Sequence, residues 1–97
     1  MMRNYELMYV IKPDVDEEKL AEVVEKYNNL IANNKGEVVT ADKWGKRRLA
    51  YEINDYREGI YMLVNFKGEA ETAQEIDRIM KISDEILRFM ILNRDKD

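Results

Sequence analysis

Two short stretches of this chain are apolar on both sides when drawn as extended strands, and they constrain the fold more than anything else in it. In residues 4–11, NYELMYVI, the side chains of Tyr5, Leu7, Tyr9 and Ile11 point one way. Those of Asn4, Glu6, Met8 and Val10 point the other. In residues 60–66, Met62, Val64 and Phe66 share one face, with Tyr61, Leu63 and Asn65 on the opposite one. A strand that is apolar on both faces belongs inside a sheet rather than at its edge. Both stretches are therefore expected as central strands, with the wholly apolar sides against a core.

The segments between them switch from a period of two to a period of 3.6. Pro13 stops the first strand, and Asp14 or Asp16 is placed to cap a helix whose first turn carries Glu17 and Glu18. Leu20, Val24, Tyr27 and Ile31 recur at helical spacing, widened by Val23 and Leu30, over about five turns. Asn33 to Gly36 ends this helix, with Gly36 expected as its left-handed C-cap. Residues 37–53 read as one long strand with a bend or bulge at Gly45, and Val38, Leu49, Tyr51 and Ile53 turned inward. A turn is expected over Asn54 to Gly59.

After Gly68, Glu69 or Thr72 opens a second helix with Ala73, Ile76 and Met80 on one stripe and Ile79 beside it. Ser83-Asp84 breaks it. Residues 86–92 form a last strand, with Leu87, Phe89 and Ile91 inward and Arg88, Met90 and Leu92 outward. A short polar tail covers 93–97. The order strand, helix, strand, strand, helix, strand over 1–97 is the α+β ferredoxin-like βαββαβ pattern, expected as one domain. It packs two helices on one face of a four-stranded antiparallel sheet. The other face is left open.

That open face is expected to carry Met8, Val10, Tyr61, Leu63, Met90 and Leu92. Single apolar residues on a sheet surface are ordinary. Three neighbouring strands contributing to one patch favours a docking surface for another chain. RNA-binding domains of this topology stack bases on outward aromatics of their central strands. Here Tyr61 is the one aromatic at the corresponding places, with Leu63 and Met8 at the others, so this face suits protein better than bases.

The chain has no His and no Cys, which removes thiol nucleophiles, imidazole bases and Cys-based metal sites. No catalytic, metal or cofactor residue is assigned. The loop Lys12 to Asp16 carries two carboxylates that would repel a phosphate, against a phosphatase. The four glycines are isolated and make no phosphate-cradling or ligand loop. That argues against a small-molecule regulatory domain. The start of the chain is not expected as a signal peptide, and no apolar run approaches the roughly 20 residues of a membrane span. No membrane or small-molecule partner is expected, and a cytosolic location is.

The net charge is −4, yet Lys43, Lys46, Arg47 and Arg48 fall within six residues, the last three inside the segment Trp44-Gly45-Lys46-Arg47-Arg48-Leu49-Ala50-Tyr51. Such a cluster either keeps an edge strand soluble or contacts phosphate. Alternation lets Arg47 point opposite to Arg48.

This segment, followed by Glu52-Ile53, resembles a motif of the sixth protein of the bacterial small ribosomal subunit. The opening Met2-Arg3-Asn4-Tyr5-Glu6 with Lys12-Pro13, then Gly59-Ile60-Tyr61, and the closing Leu87-Arg88-Phe89-Met90 are also similar to that family, over residues 2–94. The resemblance implies a non-catalytic structural role and binding to the central domain of 16S ribosomal RNA. It implies a partnership with the eighteenth protein of the same subunit, the two binding RNA as a pair. It implies RNA contacts at the matching basic positions Arg3, Lys46, Arg47, Arg48 and Arg88. An extended acidic C-terminal tail, carried by some relatives, is not expected here. The alternative reading is a ferredoxin-like regulatory or protein-interaction domain without RNA.

Overall fold

The computed structural model describes residues 2–95. Its elements are β1 (Arg3–Ile11), α1 (Glu17–Asn33), β2 (Glu37–Ile53), β3 (Tyr56–Gly68), α2 (Ala70–Lys81) and β4 (Ile86–Asn93). The strands lie in the order β2-β3-β1-β4, all antiparallel. The two strands with two-sided apolar patterns, β1 and β3, are the central pair. Their shared apolar faces meet in register, with Leu7 opposite Val64 and Tyr9 opposite Met62. Tyr5 sits directly across from Phe66, and the two rings stack at 5.3 Å.

Both helices cover this face. Leu20, Val23, Tyr27 and Ile31 of α1 and Ile76 and Met80 of α2 join the strand side chains in the main core. Asp16 caps α1, accepting the Lys19 backbone N–H at 2.8 Å. At the start of α2 the Glu69 backbone N–H donates to the Thr72 hydroxyl, which donates to the Asn34 carbonyl at 2.6 Å. The buried Thr72 thus ties the start of α2 to the end of α1. Gly36, expected as the left-handed residue, is not: Lys35 takes that conformation, at φ 65. Gly36 is needed instead for close approach, since a Cβ there would lie 2.7 Å from Ile31 Cγ2.

A polar network closes the core beside β4. The Tyr27 hydroxyl bonds Ser83 Oγ at 2.7 Å and donates to Glu85 at 3.2 Å, and Lys26 Nζ reaches the same Glu85 oxygen at 2.9 Å. Partial burial pushes the Glu85 carboxyl up, but the Lys26 hydrogen bond and charge outweigh it and hold the pKa below the usual range. A carboxylate with a depressed folded pKa stabilises above its unfolded pKa, about 4.3, and loses that contribution as pH falls through the folded value. Urea unfolding of Glu85→Gln should therefore show a stability deficit at pH 7 that closes below about pH 4. A deficit unchanged at pH 3 would mean that the network does not depend on the Glu85 charge.

Two features depart from regular alternation and shape the open face. Asn54 and Asp55 both adopt positive φ, 49 and 70. That combination suits a two-residue hairpin turn, and both residue types tolerate it. The expected turn through Gly59 is therefore shorter. β3 begins at Tyr56, and its first residues pair back onto β2. The second feature is a register shift in the β1–β4 pairing between Val10 and Ile11, where Val10 faces Arg88 and Ile11 faces Ile86.

The skipped residue, Leu87, was expected inward with Phe89 and Ile91. It instead joins Val10 and Leu49 in a second small cluster, flanked by Ile53, Tyr56 and Tyr61. Gly59 makes room, because a Cβ there would clash with Val10 Cγ1. Val10 is consequently 1% exposed. It was expected on an exposed patch, but it is a core residue beneath that patch. Tyr51, expected inward, is 64% exposed, because the β2–β3 register breaks between Arg48 and Ile53.

Candidate nucleic-acid interface

Directly paired residues of antiparallel strands share a face, so the register lays out the open side of the sheet row by row. One row runs Gly45, Tyr61, Val10, Arg88, and the next Asp42, Leu63, Met8, Met90. The third runs Thr40, Asn65, Glu6, Leu92. Met90 and Leu92 are exposed, while Met8, Tyr61 and Leu63 are half-buried. The expected apolar patch is present without Val10, which supports it from below.

The basic residues divide between faces. Arg47 lies opposite Gly59, on the open side. Lys46 lies opposite Ile60 and Arg48 opposite Glu58, on the helix side of the sheet margin. Arg88 caps the Tyr61–Val10 row from β4, three strand spacings from β2 or about 14 Å. Lys46, Arg47, Arg48 and Arg88 are thus gathered at one end of the sheet. None of the four forms an ion pair with a described residue, in contrast to Lys26, Arg57, Arg78, Lys81 and Arg94. Arg3 lies at the other end of β1, opposite Gly68, and is not brought to this group.

The chain end, expected as a short polar tail over 93–97, returns onto β1 in its described part. Asp95 accepts the Asn4 backbone N–H at 2.8 Å and its side-chain amide at 2.9 Å. These bonds hold its carboxyl below the usual range. Arg94 pairs with Glu6 at 3.2 Å. No local pattern could have announced this, because the partners lie about ninety positions apart. Residues 96 and 97 of the expected tail lie outside the described residues.

Trp44 opens the basic segment but has no role of its own in the sequence pattern. It is the extra residue between Lys43, opposite Met62, and Gly45, opposite Tyr61. Gly45 has φ 86, which fits the expected bulge. Trp44 carries the Arg47 guanidinium over its ring at 5.8 Å, and Arg47 Nε donates to the Trp44 carbonyl at 3.4 Å. At the far end of the motif, Arg48, Leu49, Tyr51, Glu52, Arg57 and Glu58 line a shallow hollow of about 520 Å³.

Among the described residues no group of three or more acidic or other ligating side chains is arranged to hold a metal. No helix among them is long and apolar enough to cross a membrane. The open face thus presents an apolar centre with cations at one end that pair with no described carboxylate.

The family model described as ribosomal protein S6 matches residues 4–93. A small ribosomal subunit protein bS6 from Desulfitobacterium hafniense is 57% identical over 94 residues, covering 97% of this chain and 99% of the relative. One from Carboxydothermus hydrogenoformans is 48% identical over 96 residues, covering 99% and 100%. The crystal structure of 30S ribosomal protein S6 from Thermotoga maritima superposes with a TM-score of 0.91 at 32% identity, covering 97% of this chain and 89% of that one. The chain belongs to the ribosomal protein S6 family. It is accordingly a protein of the bacterial small ribosomal subunit, a cytoplasmic ribonucleoprotein particle.

Proposed function

We propose that the chain binds the central domain of 16S ribosomal RNA together with the eighteenth protein of the small subunit, as a non-catalytic constituent of that particle. The observation that carries this reading is the group of cations at one end of the sheet, Lys46, Arg47, Arg48 and Arg88, none paired with a described carboxylate, with Arg47 and Arg88 on the open side beside its apolar centre. Arg forks fit phosphate, and contacts of this kind orient a protein on RNA without reading sequence. Arg3 adds a contact at the opposite end of β1. A net charge of −4 opposes RNA binding by the chain alone. A basic partner supplies the missing neutralisation, and Met8, Tyr61, Leu63, Met90 and Leu92 dock it by burying apolar surface.

Mixing the protein with the eighteenth protein and a central-domain RNA fragment at moderate salt should give a ternary complex on a native gel. Absence of that complex would overturn the reading. If the two proteins associate but RNA does not join them, the chain is a protein-interaction domain without an RNA role. Met8→Asp with Leu63→Asp introduces two carboxylates into the middle row of the open face. It should weaken association with the eighteenth protein at least 10-fold, since each carboxylate is desolvated without a partner there. Unchanged affinity by calorimetry would remove this face from the interface.

A further inference from the structure

We infer that the Trp44 indole is a stacking surface for an unpaired RNA base, held next to the phosphate-binding Arg47. This rests on the RNA-binding reading above and adds a second kind of contact to it. The β-bulge frees Trp44 from the ladder, and the side chain enters neither hydrophobic cluster. It is 46% exposed, although a tryptophan gains more than most residues from burial. The Arg47 guanidinium lies over the ring, and no second ring stacks on it among the described residues. A Cβ built on Gly45 meets nothing within 4 Å beyond its chain neighbours, so the sheet surface at the bulge is open. An aromatic plane with a neighbouring arginine is the arrangement on which proteins stack single-stranded bases while holding the backbone.

The other flanking aromatic does not offer the same site. Tyr51 lines a hollow whose two arginines, Arg48 and Arg57, are balanced by two carboxylates, Glu52 and Glu58, and no cation is seated over its ring. It is also seven residues along the strand, roughly 23 Å away, too far to serve the same nucleotide. The inference is therefore confined to Trp44.

Trp44 is the sole tryptophan, so intrinsic fluorescence reports on it alone. The full-length protein is titrated at low salt with a single-stranded oligoadenylate of about twelve nucleotides and with a fully paired RNA hairpin. The oligoadenylate should quench the fluorescence to a saturating level. The duplex should bind with little quenching. Trp44→Ala should lose affinity for the single strand about 5- to 100-fold with an unchanged salt dependence. Arg47→Ala should lower the slope of log affinity against log salt by about one. Trp44→Phe, which keeps an aromatic plane at the bulge, should recover most of the affinity, and Tyr51→Ala should change little.

RNA binding without quenching, or with full affinity in Trp44→Ala, overturns the stacking role and leaves the RNA-binding reading intact. A fluorescence change caused only by the eighteenth protein makes Trp44 a protein-docking residue and also overturns it. No binding of the oligoadenylate, alone or with the eighteenth protein present, overturns the stacking role, and only the absence of the ternary complex with the central-domain fragment overturns the RNA-binding reading as well.

Discussion

Val10→Asp is expected to destabilise the protein severely, while Met8→Asp, one alternation earlier on the same face of the same strand, is expected to change its stability little. Val10 is enclosed by Leu49 and Leu87, with Ile53, Tyr56 and Tyr61 around them. A carboxyl group there must either stay charged in an apolar pocket or take up a proton at the expense of folding free energy. The loss of packing adds to this, for a total of about 4 kcal/mol or more. A domain of this size holds roughly 5–10 kcal/mol in all. Met8, between Leu63 and Met90, is half-buried, so the charge of an aspartate at that position stays partly hydrated. Its cost should be nearer 1 kcal/mol. Far-UV circular dichroism through a thermal melt measures both. A Val10→Asp protein melting within a few degrees of the parent would mean that the Leu49–Leu87 cover opens at little cost.

Arg47→Glu combined with Arg48→Glu should lower the affinity of the protein pair for central-domain RNA by roughly 100-fold near 100 mM salt, and reduce the salt slope by about two. The fold should survive, because both side chains are exposed and neither forms an ion pair with a described residue. The single reversals should be unequal. Arg47 lies on the open side opposite Gly59, and Arg48 on the helix side opposite Glu58, so one rigid phosphate backbone cannot meet both alike. Filter binding across a salt series separates the cases. Equal losses from the two single variants would mean that the RNA wraps the sheet margin, and no loss from the double variant would return the triplet to a solubilising role.

The central strands were legible in the sequence because a two-sided apolar pattern is a direct statement of double burial, and β1 and β3 carry it. Helix starts were legible to within a choice of two residues, since short acidic or hydroxyl side chains cap by local geometry. What could not be read was parity beyond a bulge. Alternation assigns faces only while each residue has one partner, and a register shift reverses every assignment after it. Leu87 and Tyr51 fell on the wrong side for this reason. The concentration of charge at residues 46–48 was visible, and so was its division between two faces, because alternation separates Arg47 from its neighbours; which face each one takes follows from the extra residue at Trp44. Gly36 misled in another way: glycine signals either positive φ or close approach, and only the packing of Ile31 decides which. The burial of Val10 depended on Leu49 and Leu87, tens of residues away, meeting above it.

β2 is the outermost strand on its side of the sheet and, at 17 residues, a long one. An uninterrupted edge of that length is a template on which further strands can add, which is how sheet proteins begin to self-associate. Its register against β3 shifts after Val38 and again after Lys43, which leaves Val39 and Trp44 unpaired. A strand added outside would have to follow the same kinks, and charged Lys43 and Lys46 flank the second one. The irregularity that leaves Trp44 unpaired thus also makes the β2 edge a poor template for strand addition.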